Sequence, residues 1–136
     1  MSDKVFLDTN VLVYLYSGDD TDKQQAMCRT LDNYYCVTSV QVLNGISNVW
    51  YKKLGWDGQQ IKNHLDNIEE VCNEIYVINR STINQALEVK DRYGYTYYDS
   101  LILASALENG CHSVMTEDMN HGQNINGMLT VTNPFL

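Results

Sequence analysis

Short apolar runs alternate along the chain with longer segments in which apolar residues recur every three or four positions. The short runs are rich in β-branched and aromatic residues, which is typical of buried strands, and they predict strands at 4–7, 35–38, 75–78 and 113–116. The longer segments have the spacing of amphipathic helices and predict helices at about 21–33, 39–54, 57–72, 81–93 and 96–108. A further strand at 129–132, after an Asn126-Gly127 turn, is predicted to form an edge of the sheet.

This alternation of strands and helices predicts the α/β class, in which a parallel sheet is covered by helices on both faces. We expect a Rossmann-like three-layer sandwich whose central, mostly parallel sheet has four or five strands. The segment 101–107 is apolar almost all round, so its helix is expected in the interior. The chain of 136 residues has the length of one domain, which we expect to span 1–136.

Two helices are predicted to begin at residues that commonly cap helix N-termini. Thr21 or Asp22 is expected to cap the first long helix, and Ser39 is expected to cap the second. The apolar residues of the second helix share one face, which is expected to be buried: Leu43, Ile46, Trp50 and Leu54.

The composition is that of a folded globular protein, with 44% hydrophobic and 19% charged residues. The first residues lack a signal-peptide pattern, and no apolar run approaches the roughly 18 to 20 residues that a membrane-spanning helix needs. We therefore expect a cytoplasmic protein with no membrane partner. The four cysteines form no C-x-x-C pair and are expected to be reduced core thiols, and the three histidines lack a zinc-binding spacing.

The net charge of −8 weighs against nucleic-acid binding, because such binding usually relies on lysine and arginine to neutralise phosphates. The objection weakens if the acidic residues gather in one pocket, where divalent cations would reverse the local sign of the charge. The positions of the acidic residues therefore matter more than their number.

Three carboxylates fall at equivalent places in the predicted fold. Asp8 ends the first strand, Asp118 lies just beyond the fourth, and Asp99 opens the buried helix between them. All three are expected at the carboxyl edge of the sheet, where open α/β sheets place their sites. Carboxylates gathered in one crevice repel one another unless a hard divalent cation pairs with them, and magnesium or manganese is the natural occupant.

Each carboxylate also has a purely structural interpretation. Asp8 would form an Asx turn, Asp99 would complete a capping box with Thr96, and Glu117 with Asp118 would be a polar loop. The joint placement of three acids on one edge of the sheet favours a site over three separate local roles.

Four blocks of the sequence resemble PIN domains, and most of all the VapC-type toxin ribonucleases of toxin-antitoxin systems. They are VFLDTNVLVY at 5–14, SVQVLN at 39–44, YDSLILASA at 98–106 and TEDMNHG at 116–122. The four blocks occur in the order of the family and extend over nearly the whole chain, so together they are far more specific than any one of them.

The resemblance implies a PIN-like fold and a metal-dependent endoribonuclease that acts on RNA as the toxin half of a pair. It implies that Mg²⁺ or Mn²⁺ activates water for attack on an RNA phosphodiester, and that Asp8, Asp99 and Asp118 are its ligands and the catalytic acids. Residues that match the polar positions orienting metal-bound water are Thr9, Asn10 and Thr116. A small cognate antitoxin is the implied partner, and a homodimer is left open.

The fourth acid of the family pattern is absent, because Gly45 stands where a glutamate is expected. Glycine in a helix interior costs about 0.5–1 kcal/mol relative to alanine, so helix propensity gives no reason for it. A close approach between helices would explain Gly45, but we favour a change that weakens or inactivates the enzyme. A non-catalytic PIN-like scaffold that binds RNA or protein is the alternative function. A haloacid-dehalogenase-type phosphatase ranks last, because its second acid is Asn10 here.

Two further groups of residues each have two interpretations. Four tyrosines precede Asp99 and would either stack on unpaired bases or pack a loop against the core: Tyr93, Tyr95, Tyr97 and Tyr98. Five basic residues would form either a phosphate track or a solvated surface: Lys52, Lys53, Arg80, Lys90 and Arg92.

Overall fold

The computed structural model describes residues 3–136, and the strands of this part of the chain are β1 (Lys4–Leu7), β2 (Tyr35–Ser39), β3 (Glu74–Tyr76), β4 (Ser113–Met115), β5 (Asn124–Ile125) and β6 (Leu129–Thr132). They form one sheet of six strands in the order β3-β2-β1-β4-β6-β5, in which only β5 is antiparallel to its neighbour. The predicted α/β class with a mostly parallel sheet is confirmed. The sheet has six strands rather than four or five, because the two-residue β5 is too short to produce a sequence pattern.

The predicted edge strand is β6, and the structure places it one strand in from the edge. Asn126 and Gly127 have φ values of 56° and 71° and join β5 to β6 in a tight hairpin. The backbone N–H of Met128 donates to the carbonyl of Ile125 at 3.0 Å across this turn. The predicted turn is therefore present, but it joins β6 to a preceding strand, β5. This strand forms the edge of the sheet in place of β6.

The helices connect these strands in chain order: α1 (Thr9–Leu12), α2 (Thr21–Asn33), α3 (Val40–Leu54), α4 (Gly58–Val71), α5 (Arg80–Tyr93) and α6 (Tyr97–Glu108). The chain moves from β1 to β2 to β3 in one direction and then returns past β1 to β4. Because parallel crossovers are right-handed, the helices of the outward path and those of the return path lie on opposite faces of the sheet. This arrangement is the predicted three-layer sandwich.

The helix caps explain where several of these elements begin. The Ser39 hydroxyl accepts from the backbone N–H of Val42 at 3.2 Å, as predicted for α3. The cap of α2 is Asp20 rather than Thr21 or Asp22, and its carboxylate accepts from the N–H of Lys23 at 3.1 Å. Asp20 has the extended backbone that a cap requires, whereas the two predicted residues already lie within the helix.

The core lies on both faces of β1 and around α6. Phe6 and Leu7 are fully buried, and every residue of the segment 100–107 of α6 is buried, as its apolar sequence predicted. On α3 the predicted face is buried from Leu43 to Trp50, but Leu54 is 56% exposed. Leu54 is the last residue of α3, one turn beyond the buried Trp50, so its side chain meets solvent.

Both tryptophans of the chain lie where α3 meets α4. The rings of Trp50 and Trp56 are stacked with centroids 5.0 Å apart and planes at 27°. His64 of α4 lies against Trp56 with ring centroids 4.4 Å apart, and Tyr16 meets the edge of Trp50. This aromatic cluster fixes α4 against the end of α3.

Three of the four cysteines are buried thiols, as predicted. Burial raises the pKa of Cys36, Cys72 and Cys111 to about 12, so these thiols stay protonated and unreactive. Cys28 corrects the prediction, because it lies exposed on the solvent face of α2, one position after the buried Met27. Within residues 3–136, none of the helices combines the length and the apolar character needed to cross a membrane.

Candidate active site

A cavity of about 680 Å³ opens at the carboxyl edge of the sheet, where β1 and β4 end side by side. Six of the seven residues singled out from the sequence line it: Asp8, Thr9, Asn10, Gly45, Asp99 and Asp118. The seventh, Thr116, is fully buried at the end of β4 and contacts this set through hydrogen bonds. The topology therefore brings residues more than a hundred positions apart to one place.

Asp8 is the most deeply placed of the acids, with only 6% of its surface exposed. One carboxylate oxygen accepts from the backbone N–H of Thr9 at 2.7 Å, and the other accepts from the Thr116 hydroxyl at 3.0 Å. The pKa of Asp8 is raised to about 6, mainly by burial and to a lesser extent by the charges of Asp99 and Asp118, while these two hydrogen bonds lower it. The Asx-turn interpretation is thus correct for one oxygen of Asp8, while the second oxygen lies toward the other site residues.

Asn10 connects the end of β1 to the loop after β4. Its side-chain nitrogen lies 2.9 Å from the Asp118 carboxylate, 3.0 Å from the Thr116 hydroxyl and 3.4 Å from the Asp8 carboxylate. Its side-chain oxygen accepts from the backbone N–H of Glu117 at 3.0 Å. One amide therefore orients two carboxylates and the loop that bears one of them.

Asp99 lies in the first turn of α6, half-buried beside the cavity. Its backbone N–H donates to the Thr96 hydroxyl at 3.1 Å, which caps the helix. Burial raises the pKa of its carboxyl group, and the nearby charge of Asp118 raises it further. Asp118 itself is exposed at the rim, so the three acids extend from the buried floor of the cavity to its mouth.

The sequence matches the PIN domain family over residues 5–123. The chain belongs to the PIN domain family. Most of the chain, including every predicted site residue, lies within the matched segment.

Solved structures with the same fold include proteins of toxin-antitoxin systems. VapC20 of Mycobacterium tuberculosis, described as a sarcin-ricin loop cleaving toxin, has a TM-score of 0.67 at 18% identity, covering 84% of this chain and 89% of its own. A toxin-antitoxin complex from Klebsiella pneumoniae has a TM-score of 0.70 at 21% identity, covering 96% and 97%. VapBC2 of Rickettsia felis, bound to a DNA fragment from its promoter, has a TM-score of 0.67 at 18% identity, covering 96% and 99%. At these identities the likeness establishes the fold. Comparison with curated protein sequences gave no match.

PIN domain proteins generally use divalent metal ions. The donors in the cavity are carboxylate and amide oxygens, which hard divalent cations prefer. The side-chain oxygen of Gln41, on the same cavity, is buried and has no hydrogen-bond partner within the described part of the chain, so it is an acceptor available to a cation or a ligand. Among residues 3–136, however, no three histidine, cysteine or acidic side chains are arranged to hold a metal ion by themselves. The donor chemistry of this PIN domain fits magnesium or manganese, while the acids alone do not form a closed ligand cluster.

Gly45 lies on the face of α3 that approaches α1. A Cβ atom at this position would lie 3.1 Å from the Thr9 hydroxyl oxygen, closer than an ordinary van der Waals contact. The helix-packing explanation left open by the sequence is therefore supported by a specific contact. Helix propensity could not reveal it, because the contact depends on how α1 and α3 pack in this PIN domain.

Several residues of the cavity were not identified as a set from the sequence. Gln41, Asn44 and Asn48 of α3 line the cavity, and their spacing of three and four residues is the signal that would have found them. Lys53, in the last turn of α3, also lines the cavity but lies off this spacing. Glu117, the neighbour of Asp118, also lines the cavity but pairs with Lys23 at 2.7 Å. The Lys23 ammonium group in turn lies over the rings of Tyr14 and Phe135, so this ion pair is held in place by packing.

Proposed function

We propose that this PIN domain is a metal-dependent endoribonuclease and the toxin component of a toxin-antitoxin pair. The observation that carries the proposal is the meeting of Asp8, Asp99 and Asp118 on one cavity at the carboxyl edge of the PIN sheet. The match to the PIN family and the likeness to structures of toxins support it.

The residues of the cavity have distinct roles in this mechanism. Asp8, Asp99 and Asp118 would hold the magnesium or manganese ion, which when bound supplies a polarised phosphate and an activated water. Thr116 fixes one carboxylate oxygen of Asp8, while Asn10 keeps Asp8 and Asp118 at a set spacing. The pKa of Asp8 is raised only to about 6, so at neutral pH it is a carboxylate ready to bind a cation. The bound cation also offsets part of the repulsion between an RNA phosphate and a chain of net charge −8.

The proposed partner is a small antitoxin that covers the cavity. Among the described residues Asp8, Asp99 and Asp118 have no ion-pair partner. A crevice with such carboxylates favours a guanidinium group, which binds carboxylates through two parallel hydrogen bonds. Three of the similar solved structures come from toxin-antitoxin systems. They are the complex from Klebsiella pneumoniae, FitAcB from Neisseria gonorrhoeae and VapBC2 from Rickettsia felis. The proposal places this chain in the cytoplasm and leaves a homodimer open.

Gly45 sets the level of activity in this proposal. It removes the fourth acid of the family pattern from the wall of the cavity, so cation binding and hydrolysis are weaker than with a glutamate there. A non-catalytic PIN-like scaffold that binds RNA or protein is the second candidate. It is favoured by the fact that, within residues 3–136, no three acidic, histidine or cysteine side chains are arranged to hold a metal ion.

Cleavage of a structured RNA under a magnesium and manganese titration tests the function. The wild-type chain should cut with slow, metal-dependent kinetics that stop when EDTA is added. Asp99→Asn and Asp118→Asn should abolish cutting, whereas Asp66→Asn, at an exposed position of α4 outside the cavity, should leave it unchanged. Cutting that survives both cavity substitutions would refute the catalytic assignment. Absence of cutting in the wild type and in Gly45→Glu would favour the scaffold.

A further inference from the structure

Two consecutive acidic residues, Glu117 and Asp118, follow β4 and line the cavity, but their carboxylates have different partners. The carboxylate of Asp118 accepts from the side-chain amide of Asn10 at 2.9 Å. The carboxylate of Glu117 accepts from the ammonium group of Lys23 at 2.7 Å. One acid of the two is therefore left to the cavity, and the charge of the other is balanced by a residue of α2.

The ammonium group of Lys23 is held by more than this ion pair. It donates to the Tyr14 hydroxyl at 3.2 Å, and it lies 4.6 Å from the centre of the Tyr14 ring and 5.0 Å from that of Phe135. The two rings meet edge to face with centroids 5.2 Å apart. Only 30% of the Lys23 side chain and 22% of the Glu117 side chain are exposed. Aromatic rings attract a cation, so these contacts restrict the ammonium group to one place.

The loop that carries both acids is anchored before and after Asp118. The backbone N–H of Glu117 donates to the side-chain oxygen of Asn10 at 3.0 Å, and that of Gly122 donates to the carbonyl of Val131 at 2.8 Å. The ion pair adds a side-chain anchor at the residue immediately before Asp118. A carboxylate next to a fixed side chain has fewer conformations to lose when it binds a ligand.

The four tyrosines considered from the sequence do not share one role. Tyr95 accepts from the backbone N–H of Asn120 at 3.2 Å, so it holds the same loop farther along the chain. Tyr93 and Tyr97 pack against the core, as Tyr95 does. Tyr98 is 70% exposed and lines the cavity. The packing interpretation is therefore correct for three of the four.

The basic residue that contacts the loop was not among the five considered from the sequence. Of those five, Lys53 lines the cavity and the other four lie outside it. Within residues 3–136 a second ion pair joins Lys4 to Glu74 at 3.4 Å, at the amino end of β1 and away from the cavity. Its lysine is also 30% exposed and also lies near an aromatic ring, that of Tyr35. The two pairs are thus alike in kind and differ in place, which makes the Lys4 pair a matched control for the Lys23 pair.

We propose that Lys23 is a positioning residue of the cavity, which binds Glu117 and thereby holds the loop so that Asp118 faces the other two acids. This inference rests on the proposed function of the cavity. A partly exposed ion pair contributes little to stability, because solvent screens the charges and both side chains lose freedom. We therefore expect this pair to matter for the geometry of the cavity rather than for folding. The pairing also offsets a further negative charge beside carboxylates that already repel one another.

Nuclear magnetic relaxation of the metal-free chain in EDTA tests the geometry without reference to catalysis. Lys23→Met keeps an apolar stem between the two rings and removes the ammonium group. The order parameters of the Glu117 and Asp118 N–H groups should fall from about 0.85, typical of rigid backbone, toward about 0.6. Lys23→Arg, which keeps the charge, should restore most of the order, and Lys4→Met should leave it unchanged. Thermal unfolding should shift by no more than about 4 °C in either methionine variant.

Manganese titration of the same variants tests the consequence for the cavity. Lys23→Met should weaken manganese binding about 3- to 10-fold, less than the 10- to 100-fold typical of a partner bonded directly to a metal ligand. Because Lys23 acts through Glu117, adding Lys23→Met to Glu117→Ala should cause no further loss. Lys4→Met should keep the wild-type affinity.

The possible results separate this inference from the proposed function. Unchanged order parameters in Lys23→Met, equal changes in Lys4→Met, or losses that multiply in the double variant would each overturn the positioning role. Manganese affinity that rises in Lys23→Met would also overturn it, because the released Glu117 would then act as a ligand. If the wild type neither binds manganese nor cuts RNA, but Lys23→Met still loosens the loop, the positioning role stands and the proposed function fails.

Discussion

The side-chain amide of Asn10 donates to the carboxylate of Asp118 at 2.9 Å, across a sequence separation of 108 residues. The same nitrogen lies 3.4 Å from the Asp8 carboxylate, so Asn10 sets the spacing between two of the three acids. Because neither acid has a basic partner within the described residues, this neutral amide is what orders the pair. The arrangement makes Asn10 a positioning residue for the cavity.

Removing this amide should lower metal affinity and cleavage at the cavity without unfolding the protein. Asn10→Ala is expected to lower both manganese affinity and the cleavage rate about 10- to 100-fold, the usual cost of losing a partner that orients metal ligands. Asn10→Asp should be worse, because it replaces the donor with a third charge beside Asp8 and Asp118. Isothermal titration with manganese and single-turnover cleavage measure the two effects. Asn63→Ala on the exposed face of α4 is the control, and an Asn10→Ala protein that behaves like it would contradict the positioning role.

The raised pKa of Asp8 predicts a pH-dependent stability in the absence of metal. The folded protein holds the Asp8 proton up to about pH 6, whereas the unfolded chain releases it near its ordinary value of 3.8. The folded state therefore binds more protons in this window, and stability falls as the pH rises through it. The penalty is fully present above about pH 6 and amounts to about 3 kcal/mol.

Asp8→Asn should remove that penalty. In EDTA at pH 8 its free energy of unfolding is expected to exceed that of the wild type by about 1–3 kcal/mol, since the amide retains an acceptor for the Thr9 N–H. The gain should disappear below about pH 4, where Asp8 is protonated in both states. Urea unfolding at a series of pH values measures it, with Asp66→Asn as the exposed control. A difference that does not change with pH would mean that burial of the charge is not its cause.

Substitutions of Gly45 separate the missing acid from the close helix contact. Gly45→Glu is expected to raise metal-dependent cleavage at least about 10-fold, because it adds a carboxylate to the wall of the cavity. Gly45→Gln has the same shape without the charge and should not raise cleavage. Gly45→Ala measures the steric effect alone: its helix propensity gain of about 1 kcal/mol is opposed by the 3.1 Å approach to Thr9. Equal cleavage by the glutamate and glutamine variants would remove the missing-ligand interpretation.

The acids of the cavity should also govern binding of a small protein partner. Co-expression with the product of the adjacent gene is expected to give a stable complex, which Asp8→Asn or Asp99→Asn weakens because an arginine fork loses its charged acceptor. The dissociation constant measured by biolayer interferometry checks this, with Asp66→Asn again as control. If both variants keep the wild-type affinity, the partner binds away from the cavity.

Features that depend on neighbouring residues or on strand order could be predicted from the sequence. The bounds of β1 and the Ser39 cap follow from local patterns. The gathering of Asp8 and Asp118 follows from the rule that parallel strands end at the same edge. Their roles as ligands stay predictions.

Features that depend on tertiary packing could not be predicted from the sequence. The exposure of Leu54 and of Cys28 is decided by where a helix leaves the core, which the apolar pattern alone does not show. The contact of Gly45 with Thr9, and the choice of Tyr98 among four tyrosines, require the relative positions of α1, α3 and α6. The two-residue β5 is too short to have a period at all.

The stacked indoles of Trp50 and Trp56 make this protein its own spectroscopic reporter. They are the only tryptophans in the sequence, and Trp50 lies near the end of α3 while Trp56 lies in the short connection to α4. Trp50 is buried, and Trp56 packs against it and against His64 of α4, so tryptophan emission follows the state of this one helix junction without a label. Excitation at wavelengths that tyrosine does not absorb keeps the tyrosines out of the signal.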